Sequence, residues 1–275
     1  MFGSKIKVGL ALGGGGARGF SHLGAIKAFE EFGVSFDYIC GTSAGSIAGA
    51  FLANGFKFQQ IYDIAKSLRM KDIRTNIVPF TPSKLDGVGD IIIKYLGDID
   101  IENLKTPFSA VAVDLVSTKE VVLSKGSLAK AVMGSCAVPG VFTPIEYDNM
   151  ILADGGLQNT IPADIPRFYG CDYVISVDVN KSRTYGTKST KLLDVLSCSI
   201  RILMKSNAVS GYLYSDVVIA PETKRFKSTS PDGFEDMIEE GYKATIDAMP
   251  KIMAVLNKHR KTRKLIKPDD VIFYE

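Results

Sequence analysis

The chain has 275 residues, of which 46% are hydrophobic, and this length suits one large core; we expect a single domain over residues 1–275. Its 33 basic and 30 acidic residues leave a net charge of only +3, and no nucleic-acid-binding module is recognisable, so a nucleic-acid partner is not expected. The four cysteines are widely spaced without a Cys-x-x-Cys pair, which argues against a zinc knuckle or a redox motif and predicts reduced, buried thiols.

Predicted strands and helices alternate along the chain. Residues 7–12 predict a buried strand, a glycine loop follows, and residues 20–32 predict a helix that ends at Gly33. The same unit repeats with a strand at 36–40 and a helix at 46–53. Further strands are predicted at 108–115, 120–123, 151–153, 173–179 and 217–220, and further helices near 57–69, 83–96, 127–136, 191–210 and 234–260.

This alternation predicts an α/β fold. Near-continuous apolar strands indicate a mostly parallel central sheet that helices cover on both faces. The segment VDLVSTKEVVLSKG at 113–126 is expected to add one hairpin. Residues 181–190 and 223–233 lack apolar periodicity and are rich in Ser, Thr, Lys and Gly, so we predict mobile loops there.

The stretch GTSAG places Ser43 between two glycines where a predicted strand turns into a helix. Gly-x-Ser-x-Gly in this context is typical of a nucleophile elbow, whose sharp turn exposes the serine and needs room on either side. The positive end of the helix dipole would also stabilise negative charge near Ser43. The alternative is a serine that only caps the helix. A nucleophilic role therefore requires an activating group elsewhere in the chain.

The loop GGGGARG follows the first predicted strand and precedes the first helix. It matches the Gly-x-Gly-x-x-Gly pattern of dinucleotide sites at Gly14, Gly16 and Gly19. That pattern also expects an acid at the end of the second strand, whereas Asp37 lies at its start. Beside a serine elbow, the loop fits better as an oxyanion hole with backbone N–H groups directed at developing negative charge. Arg18 would add positive charge there or anchor the loop through a salt bridge.

A Ser-His-Asp triad would need one of only two histidines, His22 and His259. His22 lies within the first predicted helix and His259 in a charged segment, so structural roles are expected for both. Asp154 is the alternative base, because it follows an apolar strand and precedes two glycines. We expect it at the carboxyl end of a parallel strand, the edge where α/β sheets gather their active sites.

Three blocks, GGGARG at 14–19, GTSAG at 41–45 and DGG at 154–156, stand in the order found in patatin-like phospholipases. The chain resembles the compact bacterial members of that family. A fourth block, SCAVPGVFTP at 135–144, is similar to the segment that precedes the family's aspartate. The likeness covers residues 6 to about 180 closely and the remainder loosely.

The resemblance implies a three-layer α/β/α fold and a serine acyl hydrolase that uses a Ser-Asp dyad on phospholipid or lysophospholipid esters, with no metal or other cofactor. It assigns Ser43 as nucleophile, Asp154 as base, and the N–H groups of Gly14, Gly15 and Gly16 as the oxyanion hole. An aspartate with the ordinary pKa of about 3.9 is a weak base for a hydroxyl, so burial would have to raise the pKa of Asp154. The alternatives are a general carboxylesterase or acylglycerol lipase, and a non-catalytic lipid- or nucleotide-binding regulator.

Two segments outside these blocks are candidates for lipid contact. Residues 70–104 contain DIIIKYLGDIDI, whose apolar side predicts either a cover over the site or a helix packed on the sheet. The basic segment 251–267 predicts transient contact with an anionic membrane surface or a solvated helix end. We find no signal-peptide core and no apolar stretch of about 18 residues, so the expected location is the cytoplasm, with peripheral membrane contact. Oligomeric state and head group depend on surface and pocket shape, which residue spacing does not encode.

Overall fold

The computed structural model of the protein describes residues 6–67, 82–181, 186–257 and 271–274. Within these residues, nine strands form one sheet. The strands are β1 (Val8–Leu12), β2 (Tyr38–Thr42), β3 (Phe108–Asp114), β4 (Lys119–Leu123), β5 (Ile145–Tyr147), β6 (Met150–Asp154), β7 (Tyr173–Val177), β8 (Val217–Ile219) and β9 (Val271–Tyr274). The helices are α1 (Ser21–Glu31), α2 (Ala44–Ala53), α3 (Phe58–Ser67), α4 (Asp86–Leu96), α5 (Leu128–Ser135), α6 (Asp164–Phe168), α7 (Leu192–Tyr214) and α8 (Phe234–Leu256).

The sheet is mostly parallel, as the apolar strands predicted. Its order is β5-β6-β3-β2-β1-β7-β8, with β4 paired to β3 and β9 paired to β4. Pairs β1–β2, β1–β7, β2–β3, β7–β8 and β4–β9 are parallel, whereas β3–β4, β3–β6 and β5–β6 are antiparallel. The antiparallel β3–β4 pair is the predicted hairpin.

Helices cover both faces of this sheet, so the predicted three-layer α/β/α arrangement is confirmed. In β1, Leu10 and Leu12 belong to the larger core, which α1, α2, α4, α5 and α8 help to form. Ala11, which alternates with them, belongs to a smaller core on the other face. Ile165 of α6 and Ala208 of α7 contribute to that smaller core. Alternate residues of one buried strand therefore supply two separate cores.

The structure corrects the predicted elements in three respects. Strands β5 and β9 and the short helix α6 were not predicted, because segments of three to five residues carry too little periodicity. Helix α2 begins at Ala44, directly after the serine, rather than at residue 46. Strand β6, which ends in Asp154, is antiparallel to β3, so the expected parallel strand at this position was wrong.

The apolar side of residues 90–101 lies inside the protein. Ile92 and Leu96 of α4 are buried in the larger core, and Ile91 and Tyr95 pack against it. This arrangement corresponds to the packed-helix alternative. The rest of the predicted cover, residues 70–81, lies outside the described residues, as does the basic segment from 258 to 267.

The two predicted mobile loops are described in part. Residues 182–185 lie outside the described residues, while 223–233 form turns without helix or strand. Mobility of both loops stays a prediction. None of the helices in the described ranges has both the length and the apolar character that crossing a membrane requires.

Candidate active site

Ser43 stands at a sharp turn between β2 and α2. Its backbone has φ 53° and ψ −126°, a conformation that side-chain-bearing residues rarely adopt. Such a conformation costs about 1–3 kcal/mol and persists where surrounding structure enforces it. The glycines on either side permit the turn: a Cβ at Gly41 would lie 2.4 Å from the Gly45 carbonyl oxygen, and one at Gly45 only 2.0 Å from that of Leu12.

Backbone hydrogen bonds hold the turn in place. The Ser43 N–H donates to Oγ of Ser135 at 2.8 Å, and the Ser43 carbonyl accepts from the N–H and the hydroxyl of Ser46 at 2.8 and 2.7 Å. The side chain of Ser43 does not cap α2. Its hydroxyl is therefore not engaged by the helix N-terminus, in contrast to the simple capping alternative.

The pairing of β2 and β6 with β3 places Asp154 beside this turn. Thr42, at the end of β2, pairs with Val111 of β3, and Asp154, at the end of β6, pairs with Ala112. Both pairings use the same edge of β3, because β4 occupies the other edge over the same residues. The carboxyl ends of β2 and β6 therefore meet on neighbouring positions of β3. This places the residue after Thr42, Ser43, next to Asp154.

The Asp154 carboxyl group is fully buried. Burial raises its pKa to about 6, against smaller lowering effects of the Ser43 hydroxyl and the Gly156 N–H. Oδ1 accepts the Gly156 N–H at 2.8 Å. Oδ2 is buried and makes no hydrogen bond of ordinary length among the described residues, although the Ser43 hydroxyl is close enough to the carboxyl group to lower its pKa. One oxygen is thus held in position, and the other is available to accept a proton near Ser43.

The glycine loop is packed against Ser43. A Cβ at Gly14 would lie 3.3 Å from the Ser43 Cβ, and one at Gly15 or Gly16 would collide with Val179 or with the Ser228 carbonyl oxygen at 2.2 or 2.4 Å. The sequence-predicted site residues of the glycine loop and the elbow are therefore close in space. Only glycines allow the loop to approach its surroundings this closely.

One of the predicted oxyanion donors in the glycine loop already donates a hydrogen bond within the protein. The Gly14 N–H donates to the Thr160 carbonyl at 3.0 Å, which removes Gly14 from the predicted set of oxyanion donors. In the described part of the chain, the N–H groups of Gly15 and Gly16 donate to no protein acceptor. Two N–H groups of the loop are consequently left without a protein acceptor among the described residues.

Two side chains donate hydrogen bonds to backbone carbonyl groups of the glycine loop. His22 Nε2 lies 2.8 Å from the Gly13 carbonyl, and burial lowers the pKa of His22 to about 4, so the ring is neutral and donates. Asn180 Nδ2 donates to the Gly14 carbonyl at 2.5 Å. His22 thus has the structural role expected from the sequence, whereas Asn180 was not predicted.

The remaining candidates lie in different places. Arg18 is buried in the short 3₁₀ helix Gly16–Phe20, within the second half of the glycine loop. Asp37 accepts the Val8 N–H at 2.8 Å at the start of β1, at the sheet edge opposite the loop, so it is not placed to bind a ribose. His259 lies outside the described residues. In the described ranges, no group of three or more His, Cys, Asp or Glu residues is arranged to hold a metal ion.

The thiol of Cys136 lies near Ser46 and Asp154. Cys136 Sγ is 4.0 Å from the Ser46 hydroxyl, and burial followed by the charge of Asp154 raises the pKa of Cys136 far above its usual range. The thiol is therefore protonated and is a poor nucleophile.

Three residues of the site were not predicted from the sequence: Ser135, Asn180 and Thr160. Ser135 at least begins the block SCAVPGVFTP, whereas the other two carried no local signal.

Several known proteins are similar to this chain in sequence. A protein of Mycobacterium tuberculosis, called an uncharacterized NTE family protein, is 37% identical over 187 residues, which span 65% of this chain and 51% of that protein. Lysophospholipase NTE1 of Saccharomyces cerevisiae is 31% identical over 184 residues, 64% of this chain and 11% of that protein. The chain thus spans about half or less of the length of these relatives.

Among solved structures, VipD of Legionella pneumophila has a similar fold, with a TM-score of 0.64 and 15% sequence identity over 90% of this chain and 67% of that chain. The family model for patatin-like phospholipase matches residues 10–167, which include the glycine loop, the serine elbow and Asp154. This match covers more than half of the sequence. The chain belongs to the patatin-like phospholipase family.

Proposed function

We propose that the protein hydrolyses fatty-acyl esters of phospholipids or lysophospholipids, with Ser43 as nucleophile and Asp154 as general base. The observation that carries this proposal is the buried Asp154 carboxyl group with an unpartnered Oδ2 beside the serine at the turn. Membership of the family and the lysophospholipase name of the yeast relative support the lipid substrate class.

In the first step, Oγ of Ser43 attacks the ester carbonyl carbon while Oδ2 of Asp154 accepts its proton. The pKa of about 6 leaves Asp154 ionised at neutral pH and makes it a stronger base than an ordinary aspartate. The negative charge that forms on the carbonyl oxygen is stabilised by the N–H groups of Gly15 and Gly16 and by the N-terminus of α2.

The tetrahedral intermediate then collapses, and its C–O bond to the alcohol breaks. Asp154 returns the proton to the departing alcohol oxygen, which leaves the fatty acid esterified to Ser43. Asp154 next takes a proton from water, whose oxygen attacks the acyl-enzyme. A second collapse releases the fatty acid and restores the Ser43 hydroxyl. The proposed cycle uses no metal ion.

The direct test is hydrolysis of p-nitrophenyl butyrate and of a lysophospholipid by Ser43→Ala and Asp154→Asn, with a chelator present throughout. Each variant is expected to lose activity by about a thousandfold or more, because nucleophile and base act as one unit. Asp154→Asn is a close isostere: its amide oxygen still accepts the Gly156 N–H, but the other atom no longer accepts a proton.

Matched controls are Ser35→Ala and Asp63→Asn, which change exposed residues of the same types and should keep full activity. A fluorophosphonate should label the wild type and Asp63→Asn but not Ser43→Ala. Near-full hydrolysis by Asp154→Asn would remove Asp154 from the mechanism. Turnover that the chelator abolishes would contradict the metal-free cycle.

A further inference from the structure

Helix α7 exposes large apolar side chains along most of its length. Each of them has between 41% and 75% of its surface exposed. They are Leu192, Val195, Leu196, Ile202, Leu203, Val209 and Leu213. Among the described residues, these are seven of the twelve exposed large apolar side chains, so the exposure is concentrated on this helix rather than scattered over the surface.

These seven residues form one face, which we call the outer face of α7. Their spacings of three, four and seven residues return to the same side of a helix. Ala208 and Gly211 lie on the opposite side and are buried against the protein. A Cβ at Gly211 would lie 2.3 Å from the Ile161 carbonyl oxygen, so the helix is seated closely on the loop that follows Asp154.

The same loop connects α7 to the candidate active site. The Thr160 hydroxyl donates to the Met204 carbonyl at 2.6 Å, and the Asn207 amide donates to the Leu157 carbonyl. The Met204 methyl group also packs on Gly156, whose N–H holds the Asp154 carboxylate. The helix is therefore part of the immediate surroundings of the proposed base.

Positive charge accompanies the outer face. Between residues 181 and 214 the sequence has six Lys or Arg residues and one acid, Asp194. Lys191 and Lys205, which border the outer face by their helical positions, are exposed, and so is Lys188 just before the helix. The acid accepts a hydrogen bond from the Ser189 hydroxyl at 2.5 Å. An apolar helical face flanked by cations is the pattern of helices that lie in the interface of an anionic membrane.

We propose that the outer face of α7 docks on an anionic lipid surface, with its apolar side chains at the boundary between head groups and acyl chains. This inference rests on the proposed lipid substrate, because such a substrate resides in that surface and α7 borders the site. It is separate from the basic segment 251–267. A second copy of the chain is the rival occupant of the same face.

The test compares binding to vesicles of mixed phosphatidylcholine and phosphatidylglycerol with binding to phosphatidylcholine alone. The parent protein carries Ser43→Ala, so that the lipid is not consumed. Leu196→Gln with Leu203→Gln makes two turns of the outer face polar without changing charge. Phe32→Gln with Ile93→Gln is the matched control, since these residues are comparably exposed and lie outside α7.

We expect the parent and the control to bind the mixed vesicles, and the outer-face variant to bind about tenfold or more weakly. Binding to phosphatidylcholine alone should be weaker for the parent. With Ser43 restored, the outer-face variant should keep its turnover of dispersed p-nitrophenyl butyrate but lose hydrolysis of vesicle phospholipid.

Equal vesicle binding by parent and outer-face variant would overturn the proposal, as would a parent that binds no vesicles. Sedimentation velocity without lipid tests the rival: a parent dimer that the outer-face substitutions convert to monomer would assign the face to self-association instead. Vesicle binding through α7 by a wild type that hydrolyses no ester would leave the docking intact and defeat the proposed hydrolysis, so the two failures are distinguishable.

Discussion

Burial of Asp154, the proposed base, determines the pH range in which its carboxyl group is ionised. Its pKa is raised to about 6, so the carboxylate is protonated below that pH and ionised above it. We predict that kcat/KM for p-nitrophenyl butyrate falls about tenfold per pH unit below about 6 and is level above it. The measurement is a pH–rate profile, with circular dichroism at each pH to verify that the protein stays folded.

The neighbouring titratable groups do not account for such a change. His22 has its pKa lowered to about 4 by burial, and the Cys136 thiol stays protonated across the range. The rate of Ser43 labelling by a fluorophosphonate should show the same limb near pH 6. A profile without a limb near pH 6 would mean that Asp154 is still ionised there, as an ordinary exposed aspartate is, which would contradict the role of burial.

In the proposed mechanism, the glycine loop acts through the orientation of its peptide groups. In a trans peptide the carbonyl oxygen and the following N–H point in opposite directions. Asn180, just beyond the end of β7, holds the Gly14 carbonyl at 2.5 Å and thereby sets the direction of the Gly15 N–H. Asn180 is therefore a positioning residue for one proposed oxyanion donor, at the point where β1 and β7 run side by side.

We predict that Asn180→Ala lowers kcat for p-nitrophenyl butyrate by about tenfold to a hundredfold and changes KM little. The reason is that an oxyanion donor binds more strongly to the transition state than to the ester. Steady-state kinetics separate the two constants. Asn103→Ala, which truncates an exposed asparagine, is the control. A change in KM alone, or a loss explained by a lower melting temperature, would argue against this positioning role.

At the scale of the whole molecule, two further buried carboxylates, Glu120 and Asp164, share a hydrogen-bonding partner in the loop after Asp154. Asn159 Nδ2 donates to Glu120 of β4 and to Asp164 of α6, at 2.9 Å each. The backbone carbonyl of Asn159 accepts a hydrogen bond from the Thr42 hydroxyl. The pKa of Glu120 is raised to about 8, mainly by burial and to a smaller extent by the negative charge of Asp164. Burial also raises the pKa of Asp164. This cluster joins β2, β4, α6 and the loop after Asp154 into one unit.

Because the pKa of Glu120 is higher in the folded protein than in the unfolded chain, the folded protein keeps a proton at pH values where the unfolded chain has already lost it. The stabilising contribution of Glu120 is complete below its unfolded value of about 4.5 and is lost as pH rises through about 8. We predict that the free energy of unfolding falls between pH 6.5 and 8 by up to about 1.4 kcal/mol per pH unit. Urea unfolding at several pH values in that window measures the slope.

Glu120→Gln should flatten this slope, because its neutral amide keeps an oxygen that accepts from Asn159. The window lies above the pKa values of His22 and Asp154, so neither group obscures the result. Glu146→Gln, a change at an exposed glutamate, is the control. An unchanged slope in Glu120→Gln would show that Glu120 is already ionised in the native protein at neutral pH.

The sequence by itself determined the features that depend on neighbours along the chain. Alternating strands and helices follow from local apolar patterns, and the turn at Ser43 follows from glycines two residues away on each side. Elements of three to five residues, such as β5 and α6, were missed because they are too short for such patterns. Most of the fold and the three glycine-containing blocks were therefore predictable.

Only the tertiary structure decided which groups meet. Asn180 reaches a carbonyl 166 residues away, and Ser135 binds the elbow from 92 residues away. The Gly14 N–H turns to Thr160 rather than to the site. Asp154 arrives on an antiparallel strand, and its buried environment raises its pKa. Such contacts arise from the packing of distant segments, and burial is a property of that packing, so local spacing in the sequence contains neither.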